Sequence, residues 1–300
     1  MSKIPERVIK LRNAWATGDA KRDAGLTEPE GIEKYRDIPY GPNGVWNLLD
    51  VYIPKDISVK ASPADRPWPV IVSIHGGGFF YGDKELYRFY CMHLAEFGFA
   101  VVNFNYRLAP ECHFPAPIED TMAVMEWIAA HAEEYGLDTA NVFLVGDSAG
   151  AQLVSQFACI MTNGAYRYLF GLKAPNIRIG AVSLACGCYR FDKNDEARRP
   201  MMMDYFGDES VWDDKRMDVL GNITSAFPPT YIFSSYCDPL IVECEPAAEV
   251  IAAQGVETVC RIFGSPEAKE VGHVFQVNLK LPEGEKANRE QTDFFKKHIQ

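Results

Sequence analysis

Beyond Pro67, short apolar runs of strand length alternate with segments whose apolar residues recur at helical spacing. The apolar runs cover residues 69–74, 100–105, 142–145, 179–184, 230–234 and 257–262. The helical segments cover residues 86–97, 118–135, 149–162, 246–254 and 284–298. Near-continuous apolar runs are typical of strands that are buried on both faces. The alternation therefore predicts an α/β fold, with a mostly parallel central sheet and helices on both faces.

The first part of the chain has a different pattern. A charged, amphipathic helix is predicted from Pro5 to about Thr17. Two strands follow at residues 33–38 and 46–53, and Asn43-Gly44 between them favours a hairpin turn.

No repeat and no long Gly/Ser-rich or Pro-rich linker divides the chain. We therefore expect a single domain over residues 1–300. The stretch from about 187 to 227 has no regular pattern, and we expect it to form a small lid together with residues 1–31.

Composition and charge exclude several classes of protein. Hydrophobic residues make up 47% and charged residues 24%, as in ordinary globular proteins and unlike disordered chains. The net charge of −11 repels a phosphate backbone, so nucleic acid is not expected as a partner. No apolar run of membrane-spanning length is visible, and no secretory signal is visible either. We therefore expect the chain neither to insert into a membrane nor to be secreted. The eight cysteines lie in apolar contexts, which favours reduced thiols in a cytoplasmic protein.

Residues 146–150 (GDSAG) match the pattern G-x-S-x-G. The match directly follows a predicted strand and opens a predicted helix, which is the context in which such a turn exposes a nucleophilic serine. Ser148 is therefore the candidate nucleophile. The alternative is an ordinary helix start that Ser148 caps with its side chain.

Residues 75–79 (HGGGF) follow the predicted strand 69–74. Three consecutive glycines are costly in folding entropy, so they need a structural or functional reason. The backbone N–H groups of Gly77 and Gly78, together with that of Ala149, are candidates for an oxyanion hole. A flexible turn is the alternative, and His75 is expected to be a structural hydrogen-bonding residue.

Taken together, the motifs resemble the hormone-sensitive-lipase-like family of α/β-hydrolase serine esterases. They are HGGGF (75–79), YRLAPE (106–111), FPAPIED (114–120), GDSAG (146–150), CDPL (237–240) and GHVF (272–275). The resemblance implies the α/β-hydrolase fold and a Ser–His–Asp carboxylesterase that uses no metal and no organic cofactor. It also implies that Asp147 and Glu111 are supporting residues.

A serine hydroxyl needs a base, and His273 is the candidate among six histidines. It lies in a loop beyond the last predicted strand and completes the chain order Ser…Asp…His of this fold. Asp238, which follows the strand 230–234, is the candidate for the carboxylate that orients His273. Glu243 and Glu245 are better explained as residues at a helix start. The acids of the irregular stretch are expected to be solvated; they are Asp192, Asp195, Asp204 and Asp208.

These residues predict hydrolysis of short-chain or small acyl esters through an acyl-enzyme. An amidase or aryl-formamide hydrolase would use the same triad and remains an alternative. A non-catalytic ligand-binding relative is disfavoured because the candidate base is present. An interfacial lipase is disfavoured because no long apolar amphipathic helix is visible.

Six aromatic residues and the run Met201–Met203 are candidates for an apolar substrate pocket; the aromatic residues are Phe79, Phe80, Tyr81, Tyr189, Tyr205 and Phe206. Ordinary packing in the lid and the core explains each of them equally well. The expected partner is a small-molecule ester, and the resemblance adds the expectation of a homodimer.

Overall fold

The computed structural model describes residues 4–55 and 67–300, which contain eight strands and eight α-helices. The strands are β1 (Ile32–Pro39), β2 (Leu48–Pro54), β3 (Trp68–Ile74), β4 (Ala100–Phe104), β5 (Leu137–Asp147), β6 (Ile179–Ala185), β7 (Thr230–Ser235) and β8 (Thr258–Phe263). The helices are α1 (Glu6–Asp23), α2 (Lys84–Glu96), α3 (Ala116–Tyr135), α4 (Ala149–Thr162), α5 (Gly164–Phe170), α6 (Arg199–Phe206), α7 (Ile241–Ala253) and α8 (Pro282–Lys296). Every predicted strand and helix is present, and α5 and α6 were not predicted.

The strands form one sheet in the order β1-β2-β4-β3-β5-β6-β7-β8. β2 is antiparallel to both of its neighbours, whereas all the other pairings are parallel. The prediction of a mostly parallel sheet is therefore confirmed.

β1 and β2 pair as predicted, but Asn43-Gly44 does not form a two-residue hairpin turn. A 3-10 helix over Gly44–Asn47 occupies the connection, and β2 begins only at Leu48. The buried Asn47 side chain explains the difference, because its Oδ1 accepts hydrogen bonds from Asn43 N at 3.0 Å and from Asn43 Nδ2 at 2.7 Å. These bonds stabilise a wider loop than the local sequence suggests.

Both faces of the sheet carry a hydrophobic core. On β3, Val70, Val72 and Ile74 join a cluster with residues of α3, α4 and α7, while Ile71 points to a second cluster with residues of α2 and α8. This alternation explains why the central strands are apolar throughout, since each successive side chain enters one core or the other.

The carboxyl ends of β3, β5 and β7 carry the loops with the candidate active-site residues. Parallel neighbours place these ends along one edge of the sheet, and ligands of open α/β sheets bind at that edge.

The two segments predicted as a lid pack against each other above this edge. The Arg7 guanidinium of α1 bonds to the Asp204 carboxylate and, at 3.0 Å, to the carbonyl oxygen of Pro200. Asp204 is only 8% exposed, so the expectation that it is solvated is wrong. Residues 187–227 contain α6 and three 3-10 helices and are more regular than predicted. Within the described residues, no helix is long and apolar enough to cross a membrane.

Candidate active site

Ser148 lies in the tight turn between β5 and α4. Its backbone has φ 53° and ψ −118°, a conformation that costs a non-glycine residue about 1–3 kcal/mol. The turn is compact: a Cβ on Gly146 would lie 2.5 Å from the Gly150 carbonyl oxygen, and a Cβ on Gly150 would lie 2.1 Å from that of Ile74. The Ser148 side chain caps no helical N–H group, so its interpretation as an ordinary helix cap is wrong.

Ser148, His273 and Asp238 come together although they are far apart in the sequence. His273 Nε2 lies 3.0 Å from Ser148 Oγ, and His273 Nδ1 lies 2.8 Å from Asp238 Oδ1. Asp238 is 2% exposed and also accepts hydrogen bonds from Leu240 N at 2.9 Å and from Ser234 Oγ at 2.6 Å. Burial by itself would raise the pKa of Asp238, but the hydrogen bond and charge of His273 outweigh it and lower that pKa. An ionised Asp238 accepts a hydrogen bond from the Nδ1–H of His273, which keeps the proton on Nδ1 and leaves Nε2 free to accept from Ser148.

The alternative residues lie elsewhere. Among the histidines of the described residues, only His273 lines the cavity beside Ser148. His75 is fully buried, stacks on Tyr106 at 4.1 Å between ring centroids, and has a pKa that burial lowers to about 4. It is therefore neutral and structural, as expected. Glu243 is buried in the first turn of α7, with one carboxylate oxygen unpartnered among the described residues.

The loop after β3 turns sharply over residues 75–82, here called the oxyanion loop. Gly77 has φ +110°, and a Cβ there would lie 2.0 Å from the Tyr81 carbonyl oxygen; Gly78 has φ +61°. Only glycine fits such a turn without strain. Among the described residues, the backbone N–H groups of Gly77, Gly78 and Ala149 donate no hydrogen bond. All three residues line the cavity beside Ser148, so these N–H groups are available to a bound oxyanion.

A cavity of about 580 Å³ opens in front of Ser148. Its walls come from α1 and the oxyanion loop on one side and from α6 and Leu240 on the other. The arginines on its lining are paired within the protein, Arg22 with Asp19 at 2.7 Å and Arg198 with Asp195 at 2.5 Å. The buried Asp147, which also lines the cavity, accepts a hydrogen bond from the Tyr87 hydroxyl. The surface that a ligand meets is therefore mainly apolar.

Two of the six aromatic pocket candidates, Phe79 and Tyr81, line this cavity. The other four are absent from its lining and pack in the hydrophobic core, to which Phe79 also belongs; they are Phe80, Tyr189, Tyr205 and Phe206. Tyr205 stacks on Phe79 at 3.9 Å, and Phe80 stacks on Trp15 at 5.0 Å.

The sequence analysis missed several residues on the cavity wall, namely Trp15, Asp19, Arg22, Tyr87, Cys188 and Leu240. No local motif marks them. The residues of α1 reach the cavity only because the helix packs over the oxyanion loop, where Asp19 accepts a hydrogen bond from the Tyr81 hydroxyl at 2.6 Å.

One group in the described residues brings three potential metal ligands within 4.8 Å of one another: Cys186, Asp238 and His273. Asp238 and His273 are already hydrogen-bonded to each other, and burial raises the pKa of the Cys186 thiol well above its usual value. A protonated thiol and an occupied imidazole are poor metal ligands, so this group fits proton transfer better than metal binding.

Comparisons with known proteins agree with this fold. A family described as alpha/beta hydrolase fold matches residues 71–277. The probable carboxylic ester hydrolase LipM of Mycobacterium tuberculosis is 33% identical over 168 residues, which are 56% of this chain and 37% of LipM. Esterase LipQ of the same organism is 27% identical over 220 residues, 71% of this chain and 51% of LipQ. The chain thus spans about half or less of these relatives.

Among solved structures, esterase B of Lactobacillus rhamnosis superposes with a TM-score of 0.85 at 26% identity, over 98% of this chain and 96% of that chain. The family match covers more than half of the chain, and the structural match covers nearly all of it. The protein therefore belongs to the alpha/beta hydrolase fold family, and the resemblance to its hormone-sensitive-lipase-like members that the motifs indicated is confirmed.

Proposed function

We propose that the protein is a serine carboxylesterase that hydrolyses short-chain or small acyl esters. The observation that carries this proposal is the continuous hydrogen-bonded series from Ser148 through His273 to Asp238, with distances of 3.0 and 2.8 Å. The N–H groups of Gly77 and Gly78, which have no hydrogen-bond acceptor among the described residues, lie beside it on the cavity wall. The names of the relatives support the same reaction class, and esterase B has been solved with a C4-C4 tributyrin phosphonate inhibitor.

The reaction follows from the hydrogen bonds. Ser148 Oγ attacks the ester carbonyl carbon while His273 Nε2 accepts the hydroxyl proton. The N–H groups of the oxyanion hole donate hydrogen bonds to the carbonyl oxygen and stabilise its negative charge. Asp238 stabilises the imidazolium that forms. His273 then returns the proton to the leaving alkoxide oxygen, and the alcohol departs from an acyl-serine. Water attacks this ester by the same steps and releases the acid and free Ser148.

The cavity favours an uncharged substrate of moderate size. The charged residues on its lining are engaged in ion pairs or, for Asp147, in a hydrogen bond from Tyr87, so a charged acyl or alcohol group would lose hydration without gaining a free partner. Trp15 of α1 and Met201 and Met202 of α6 cover the apolar part. We infer that α1 and residues 187–227 act as a lid that limits the acyl chain.

An amidase or aryl-formamide hydrolase with the same triad is the second candidate, because the catalytic groups that amides and esters need are the same. A non-catalytic binding protein is disfavoured, since nucleophile, base and carboxylate are all in hydrogen-bond contact.

The test compares Ser148→Ala with Ser155→Ala on chromogenic esters of increasing acyl length and on the matching anilides. Ser155 is a buried serine of α4 whose hydroxyl bonds only to the helix carbonyl of Ala151 among the described residues. We expect Ser148→Ala to abolish ester hydrolysis and Ser155→Ala to retain it. Activity in Ser148→Ala would refute the nucleophile, and faster turnover of anilides than of esters would favour the amidase.

Further proposals concern the setting of the enzyme. We infer a cytoplasmic protein, because the eight cysteines are free thiols in the structure. A homodimer is proposed and is tested by size-exclusion chromatography with light scattering. We expect no binding to nucleic acid at a net charge of −11, and a DNA mobility-shift assay checks this.

A further inference from the structure

Tyr87 joins two segments of the active site that are far apart in the sequence. Its hydroxyl donates to Asp147 Oδ2 at 2.8 Å and accepts from the backbone N–H of Gly76 at 3.1 Å. Asp147 immediately precedes Ser148, and Gly76 immediately precedes Gly77. One phenol hydroxyl therefore connects the nucleophile turn to the oxyanion loop.

The connection is buried and closely packed. Asp147 is 3% exposed and Tyr87 is 8% exposed. A Cβ on Gly76 would lie 2.2 Å from Asp147 Oδ2, so the backbone of the oxyanion loop lies directly on the carboxylate. Displacing the loop would leave the buried Gly76 N–H without a partner, which costs about 1–3 kcal/mol.

We propose that Tyr87 is a positioning residue for ester hydrolysis, which holds the N–H groups of Gly77 and Gly78 at the distance from Ser148 that the oxyanion requires. This inference rests on the proposed function, in particular on Ser148 as the nucleophile. Oxyanion donors must lie within about 2.7–3.1 Å of the oxyanion. The orientation of Gly76 decides where the next two N–H groups point, and a displacement of about 1 Å can reduce the rate about 10²-fold.

The same hydrogen bond affects the ionisation of Asp147. The pKa of Asp147 is raised to about 6, because the effect of burial outweighs the hydrogen bond from Tyr87 and the charge of His273, which both lower it. The other groups close enough to sense its charge are Arg22 and Asp19 of α1, Tyr90 and Cys91 of α2, Tyr106 and Cys186. Removing the Tyr87 hydroxyl therefore raises the pKa of Asp147 further, so the carboxylate becomes protonated at a higher pH.

Tyr87→Phe tests the inference, and Tyr90→Phe is its matched control. Tyr90 lies one turn away on α2 and is equally buried, but its hydroxyl accepts from Gln291 of α8 at 3.2 Å and does not touch the oxyanion loop. We expect Tyr87→Phe to lower kcat on a chromogenic ester about 10-fold to 10²-fold with KM unchanged. Tyr90→Phe leaves kcat unchanged.

Equal kcat values for the two phenylalanine variants, or an effect of Tyr87→Phe on KM alone, would overturn the inference. If Tyr87→Phe does not fold in a thermal melt, Asp147→Asn takes its place. Its amide oxygen still accepts from Tyr87 but is a weaker, uncharged acceptor, so kcat falls with KM unchanged; an unchanged kcat would again overturn the inference. Ser148→Ala distinguishes a failure of the proposed function from a failure of this inference. Activity in Ser148→Ala would refute the proposed catalytic residues, whereas an inactive Ser148→Ala with unchanged kcat in Tyr87→Phe would refute only the role of Tyr87.

Discussion

Replacing Asp238 by asparagine changes the charge at the centre of the proposed triad while preserving its shape. Oδ1 of Asp238 accepts from His273 Nδ1 at 2.8 Å and from Leu240 N at 2.9 Å, and Oδ2 accepts from the Ser234 hydroxyl. The Leu240 N–H can only donate, whereas the Ser234 hydroxyl can rotate and accept. The new amide therefore places its oxygen toward His273 and its NH₂ toward Ser234, since the reverse orientation leaves a buried N–H unpaired at about 1–3 kcal/mol.

The expected decrease in kcat follows from this orientation of the amide. His273 keeps the tautomer in which Nδ1 carries the proton, so only the charge that stabilises the imidazolium is lost. Two unit charges about 4 Å apart interact by about 4 kcal/mol at an effective dielectric constant of about 20, and the remaining neutral hydrogen bond offsets part of this. We expect a loss of about 2–4 kcal/mol, which is about 30-fold to 10³-fold in kcat. This is less than the roughly 10⁴-fold loss in chymotrypsin-type proteases, where the substitution imposes the wrong tautomer.

Steady-state kinetics on a chromogenic ester measure this loss, with two comparison variants. Asp238→Ala also removes the hydrogen bond that orients His273, so its kcat should be lower still. Glu243→Gln removes a buried carboxylate of α7 that lies outside the cavity, and it should retain the kcat of the wild type. The reasoning is refuted if Asp238→Asn has normal kcat, or if Asp238→Asn and Asp238→Ala are equally impaired.

Three further predictions concern the oxyanion loop and the stability of the fold. Gly78→Ala places a Cβ 2.9 Å from a ring carbon of Phe80 at φ +61°, and it should lower kcat about 10²-fold or more with little change in KM in steady-state assays. The Lys84 ammonium lies 2.9 Å from the carboxylate of Asp50, which is 1% exposed, so Lys84→Met leaves this carboxylate without a buried cation. Urea unfolding should show that the free energy of unfolding falls by about 3–5 kcal/mol, and a decrease below about 1 kcal/mol would contradict this. Burial raises the pKa of Glu243, so the native state binds this proton more tightly than the unfolded state, and the wild type loses stability as pH rises. Glu243→Gln should therefore melt at a higher temperature than the wild type at about pH 8 and at the same temperature at about pH 4, as scanning calorimetry would show.

Local chemistry explains why much of the fold and of the candidate site was predictable. The strands and helices follow from hydrophobic periodicity, which depends on residues within a few positions of each other. The turn around Ser148 follows from glycines that only a strand–turn–helix junction needs, and the oxyanion loop follows from Gly77 and Gly78, which adopt positive φ. The resemblance implied the chain order Ser…Asp…His. Asp238 and His273 follow the last two predicted strands in that order, so they were the candidates at the carboxyl edge of the sheet.

Tertiary contacts decided what the local pattern left open. Phe80 and Tyr205 pack in the core, where Phe80 stacks on Trp15 and Tyr205 stacks on Phe79, and it is Trp15 and Phe79 that line the cavity. The connection between β1 and β2 is longer than a two-residue turn because the buried Asn47 side chain bonds to Asn43 in the same loop.

Local sequence indicates the candidate catalytic residues, because nucleophile, base and oxyanion donors need particular residue types in particular turns. It did not determine the walls of the cavity or the support of the site. Asp204 is hydrogen-bonded to Arg7, which is 197 residues away in the sequence, and Asp147 is hydrogen-bonded to Tyr87, which is 60 residues away. Burial and pairing of such groups depend on which distant segment packs against them, and only the folded chain brings those segments together.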